Sequence, residues 1–127
     1  MRLALDTNAY SAAARGEPAA VALVRAADQL TVPFVVLAEL RAGFAVGGAG
    51  RRNEAALTRF LASSRVHVRY ADEQTTHHYA SLFAQLRRQG TPIPTNDIWI
   101  AALVLQYDLV LLTRDGHFSN IPQIARA

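Results

Sequence analysis

The chain contains no cysteine and no lysine. Without cysteine there are no disulfides, no thiol nucleophile and no thiolate metal site, which is compatible with a reducing compartment. Without lysine, all 13 basic residues are arginine. No apolar run is long enough to span a bilayer. The opening MRLALDTN reaches Asp6 too early for a signal peptide, so a soluble, cytoplasmic protein is expected. The patterns GxxxxGK[ST], HExxH and GxSxG are also absent, and with them the usual marks of phosphate-loop binding, zinc-protease and nucleophile-elbow chemistry. There is no internal repeat, linker or low-complexity tail.

What remains is a globular composition. Hydrophobic residues make up 51% and charged residues 18% of 127, enough to bury a core within one domain. The net charge of +3 and pI near 10.0 admit a nucleic-acid partner, because arginine grips phosphate in a fork geometry. An Ala- and Arg-rich composition can equally reflect base bias in the genome.

Apolar patterning predicts short strands at Leu3–Leu5, Leu30–Val32, Val66–Val68 and Leu109–Leu112. Between them lie helical stretches over Pro18–Ala27, Phe34–Ala45, Asn53–Ser63, Asp72–Arg88 and the segment through Gln106. Asp72 is placed to cap its helix and Gly90 to end it, while Thr95 or Asn96 is expected to cap the last one. Strands separated by helices predict an α/β/α sandwich around a central parallel sheet. Ligands of such sheets bind beyond the carboxyl ends of the strands, and Asp6 and Asp115 both follow strands directly.

Four acidic residues sit at the edge of, or inside, apolar segments: Asp6 in LALDTN, Glu39 in VVLAEL, Asp97 in TNDIWIAA and Asp115 in VLLTRD. A carboxylate there loses hydration unless a partner replaces it. Each has an ordinary reading alone. Asp6 can form an Asx turn or helix cap with Thr7 and Asn8, Asp97 suits the first turn of a helix, and Asp115 precedes a turn glycine. Glu39 is harder to explain, since Val35, Val36, Ala42 and Gly43 offer it no ion pair along its helix. Its partner is either long-range, a distant arginine included, or water. Two charges about 4 Å apart repel by roughly 4 kcal/mol at an effective dielectric of 20, so four clustered carboxylates call for a cation. Hard oxygen ligands select Mg²⁺ or Mn²⁺. The histidines are not expected to take part. His77 and His78 are adjacent on a helix and face apart, His67 lies in a strand and His117 in a loop.

In order and spacing, LALDTN, Glu39 in VVLAEL, TNDIWIAA and LLTRDGHFSNIP resemble the PIN domain, and in particular VapC-type toxins of bacterial toxin–antitoxin pairs. The resemblance covers essentially the whole chain as one PIN-like domain, residues 1–127. It implies an α/β/α sandwich and Mg²⁺- or Mn²⁺-dependent endoribonuclease activity. Asp6, Glu39, Asp97 and Asp115 would be the catalytic metal-site residues, holding one ion or two. Asn8 would steady Asp6, Thr113 would supply a supporting hydroxyl, and Phe118 matches a packing position. The resemblance further implies an RNA substrate, a VapB-like antitoxin that blocks the site, and a homodimer. Arg87, Arg88 or Arg114 would steer the RNA backbone.

Other readings stay open on the sequence. A haloacid-dehalogenase-like phosphatase also begins with a strand and an Asp, but its second Asp would fall where Asn8 stands. A receiver-like phosphoacceptor domain usually needs a lysine near its acidic pocket. A non-catalytic metal- or RNA-binding regulatory module of PIN-like fold would keep the carboxylates without turnover.

Overall fold

In the computed structural model, which describes residues 1–127, the short apolar runs become strands of one sheet. They are β1 (Arg2–Leu5), β2 (Gln29–Pro33), β3 (Val66–Arg69), β4 (Val110–Leu112) and β5 (Ala125–Arg126). The order is β3-β2-β1-β4-β5 and every pairing is parallel. Leu3, Ala4 and Leu5 are fully buried, as expected of a central parallel strand covered on both faces.

Parallel neighbours need crossovers, and six helices supply them: α1 (Thr7–Ala14), α2 (Pro18–Ala26), α3 (Phe34–Val46), α4 (Gly50–Leu61), α5 (Glu73–Gln89) and α6 (Thr95–Gln106). The first four accompany steps from β1 outward to β3. The pair α5–α6 carries the chain back across to β4. With right-handed crossovers the two groups lie on opposite faces of the sheet. The direction of winding reverses between β1 and β4, which makes the gap beyond their carboxyl ends the switch point of the fold.

Local chemistry accounts for most helix boundaries. Asp72 accepts from the Thr75 backbone N–H at 3.1 Å while the Asp72 N–H donates to the Thr75 hydroxyl at 2.9 Å, a reciprocal cap on α5. Gly90 ends α5 at φ 71°, a left-handed conformation that costs a glycine nothing. Helix α6 is buried nearly all round, with Ile98, Ile100, Ala101, Ala102, Leu103 and Val104 in the core.

Four features differ from expectation. Asp6-Thr7-Asn8 opens a full helix, α1, whose Ala-rich sequence carries little periodic signal. Pro94, not Thr95 or Asn96, takes the cap position of α6; its extended backbone turns its carbonyl onto the N–H groups of Asp97 and Ile98 at 3.0 and 3.2 Å. Helix α4 begins at Gly50, three residues before Asn53. The C-terminal segment adds a 3₁₀ turn at Gly116–Asn120 and the two-residue strand β5, both too short for periodicity to reveal.

Candidate metal centre

Asp6 follows β1, and Asp115 follows β4 after Thr113 and Arg114. Because Leu5 pairs with Leu112 in parallel register, both acids emerge at the same sheet edge, at the switch point. Asp6 is 5% exposed and serves as the cap of α1: its Oδ1 accepts the Ala9 N–H at 2.8 Å. Its Oδ2 accepts the hydroxyl of Thr113. The same hydroxyl accepts the Asp115 N–H at 3.0 Å, so one side chain links the two strand ends.

Glu39 reaches the group from α3. It is half-buried, and its Oε1 accepts the Thr7 hydroxyl at 2.7 Å. Of the partners open to Glu39, the structure therefore selects a long-range neutral hydroxyl rather than an arginine. Asp97, in the first turn of α6, is mostly buried, and Asp115 caps the 3₁₀ turn by accepting the His117 N–H at 2.9 Å.

Asp115 and Glu39 act electrostatically on both Asp6 and Asp97, while the one group of three with donor atoms all within 4.8 Å is Asp97, Asp115 and His117, without Asp6 or Glu39. Burial pushes the Asp6 carboxyl above its ordinary range; the bonds from Thr113 and Ala9 oppose this, and the charges of Asp115 and Glu39 reinforce it. Burial also raises the Asp97 carboxyl, against the hydrogen bond from His117 and with the charges of Asp115 and Glu39. None of the 13 arginines forms a salt bridge with any of the four. Arg114 stands beside Asp115 in sequence but turns to Glu17, at 3.3 Å. A set of hard oxygen donors, two of them (Asp6 and Asp97) held against ionisation mainly by burial, and lacking a fixed cation, fits a divalent ion such as Mg²⁺ or Mn²⁺.

His117 departs from expectation. Its Nδ1 lies 2.9 Å from Asp97 Oδ2 and 3.1 Å from Asp115 Oδ1. The 3₁₀ turn, not an open loop, brings the ring onto the acids, and its position two residues after Asp115 was the one hint in the sequence. Thr7, next to Asp6 in the chain, holds Glu39 instead of Asp6. Asn8 is exposed and makes no hydrogen bond to Asp6, whose oxygens are taken by Ala9 and Thr113. Phe118 is fully buried, as a packing position should be. Arg87 and Arg88 are exposed in the last turn of α5, which docks on the 3₁₀ turn where Gln89 donates to the Asn120 carbonyl at 2.9 Å.

"Ribonuclease VapC1" of Haemophilus influenzae strain R2866 is 35% identical over 88 residues, which span 69% of this chain and 64% of that protein. "Plasmid stability protein StbB" of Pseudomonas syringae pv. tomato is 34% identical over 119 residues, covering 87% of this chain and 86% of that protein. The solved structure of VapBC-1 from nontypeable Haemophilus influenzae superposes with a TM-score of 0.86 at 30% identity, over 100% of this chain and 97% of that one. Residues 3–124 match the PIN domain family, and the chain belongs to that family.

Proposed function

We propose that this protein is a Mg²⁺- or Mn²⁺-dependent endoribonuclease toxin, neutralised by a cognate VapB-like antitoxin. The observation that carries the reading is that Asp6, Glu39, Asp97 and Asp115 lie within electrostatic reach of one another, with no arginine salt-bridged to any of them. Similarity to a ribonuclease VapC1 and to the toxin–antitoxin assembly VapBC-1 supports the choice of RNA and of an antitoxin partner.

In this reading Asp6, Glu39, Asp97 and Asp115 hold the ion. Bound there, a divalent cation supplies an activated water and a counter-charge for the scissile phosphate. Thr113 fixes the Asp6 carboxylate and the backbone of Asp115, and Thr7 fixes Glu39, so the oxygens are set before the ion arrives. Exposed Arg87, Arg88 and Arg114 attract the RNA backbone. The working form is a homodimer in the cytoplasm; no helix of the chain is long and apolar enough to cross a membrane.

The test is incubation of the purified protein with single-stranded RNA and Mg²⁺ or Mn²⁺, in the presence and absence of chelator. Cleavage that requires the ion, and that stops when the product of a small neighbouring gene is added, is expected. Metal binding with no RNA cleavage under any of these conditions would instead favour a regulatory module.

A further inference from the structure

We propose that His117 is a nitrogen ligand of the acidic site and shifts its choice of cation from Mg²⁺ toward Mn²⁺. The inference rests on the reading of the four carboxylates as a metal site. It adds a residue of a different donor type and a consequence for which ion is held.

The geometry favours a ligand. His117 Nδ1 is 2.9 Å from Asp97 Oδ2 and 3.1 Å from Asp115 Oδ1. One donor atom from each of the three residues falls within 4.8 Å of the others. Two ligand atoms at right angles on one octahedral ion, each about 2.1 Å from it, lie about 3.0 Å apart. The imidazole nitrogen therefore already stands at ligand spacing from two carboxylates.

The fold fixes that placement. Asp115 holds the His117 N–H at 2.9 Å, and the next residue, Phe118, is anchored in the core with no exposed surface. The turn is also pinned to α5 through Gln89 and the Asn120 carbonyl at 2.9 Å. The other ring nitrogen, Nε2, makes no hydrogen bond within the chain, and the side chain is 47% exposed, so an ion can reach the ring.

Chemistry then separates the two ions. Mg²⁺ prefers oxygen ligands and keeps its waters, and so gains little from an imidazole. Affinity for a site containing nitrogen rises along the first-row transition metals, starting at Mn²⁺. If His117 served only to hydrogen-bond Asp97 and Asp115 in place, its removal would weaken both ions alike.

The experiment is calorimetric titration of Mn²⁺ and Mg²⁺, each alone, into the wild-type protein, His117→Ala and His117→Asn, with electron paramagnetic resonance of the Mn²⁺ forms. Asn keeps a hydrogen-bond donor near the position of Nδ1 but offers no imidazole. His117→Ala is expected to weaken Mn²⁺ on the order of tenfold and Mg²⁺ by much less. His117→Asn should not restore Mn²⁺ affinity. Wild-type Mn²⁺ spectra should carry a nitrogen hyperfine coupling that both variants lose. Equal losses for the two ions, recovery of Mn²⁺ affinity in the Asn variant, or wild-type Mn²⁺ binding without nitrogen coupling would each overturn the inference while leaving the acidic site standing. Failure of the wild type to bind either ion would overturn both.

Discussion

Thr113 and Asp6 lie 107 positions apart in the chain, yet the Thr113 hydroxyl donates directly to Asp6 Oδ2 across the β1–β4 boundary. That hydroxyl also accepts the Asp115 N–H. A single side chain thus sets the spacing of two carboxylates that repel one another. Replacing it by valine keeps the shape and removes the oxygen. Asp6 then loses the stronger of the two bonds that oppose its raised pKa, so its carboxyl rises further. Thr113→Val is expected to weaken Mn²⁺ binding by about 10- to 100-fold with the fold retained, and Thr113→Ser to stay near wild type. Calorimetric titration reads both.

Thr7 and Glu39 form the corresponding pair on the other side of the site, at 2.7 Å. Thr7→Val leaves the carboxylate free to change rotamer while α3 stays anchored by Val36, Leu37 and Leu40. RNA cleavage should fall by about tenfold or more. Stability should change by only about 1 kcal/mol, because a half-exposed bond is replaced in part by water. Cleavage rates and urea denaturation of the same preparation separate the two effects.

The site should register in the pH dependence of stability. Asp6 and Asp97 have folded pKa values raised mainly by burial. The native state then binds protons that the unfolded chain has released. Stability contributed by these groups is therefore present below the unfolded value of about 4 and is lost as pH rises through the raised folded values. Asp28 and Asp72 are shifted down, Asp28 by the terminal amino group and Asp72 first by Gln106. Their stabilisation is present above about pH 4 and is lost as pH falls through the lowered values. The two windows adjoin without overlapping. Together the contribution of these four groups to the stability of the metal-free protein is greatest near pH 4 and smaller at neutral pH. Saturating Mn²⁺ should recover most of the neutral-pH loss. Thermal melts across this range, with chelator and with Mn²⁺, measure it. Asp6→Asn and Asp97→Asn variants that lose as much stability as the wild type between pH 4 and neutral pH in chelator would contradict the assignment.

Phe118 is fully buried one residue beyond His117. It anchors the turn that carries His117 and follows Asp115. Phe118→Ala is expected to destabilise the protein by about 3–5 kcal/mol through the cavity it leaves. Urea denaturation midpoints give the value.

The sequence exposed those parts of the fold whose cause is local. Leu3–Leu5 and Leu109–Leu112 read as strands because a buried parallel strand is apolar at every position. The acids that follow them stand out against that background, and parallel pairing alone brings Asp6 and Asp115 to one edge. The Asp72 cap and the Gly90 stop are likewise properties of a few adjacent residues. What stayed hidden depends on contacts between distant segments. His117 meets Asp97 only because the 3₁₀ turn lies against the start of α6, and no spacing rule relates positions 97 and 117. The Thr7 hydroxyl could be seen to lie near Asp6, but its partner Glu39 is 32 residues away. Helix α1 escaped because an alanine run has high propensity but no apolar stripe to mark its face.

Asp6→Asn removes one oxygen ligand of the proposed divalent-ion site and bears on its role in RNA cleavage more sharply than any other substitution. Asparagine caps a helix as well as aspartate does and can still accept the Ala9 N–H, so α1 should form normally. The measurement is Mn²⁺-dependent RNA cleavage by wild type and Asp6→Asn side by side, with circular dichroism confirming the same fold. Cleavage by the wild type and loss of at least about a hundredfold in the variant are expected, a loss comparable to removing one strong electrostatic stabiliser of the transition state. Wild-type cleavage rates in a correctly folded Asp6→Asn protein would contradict that role.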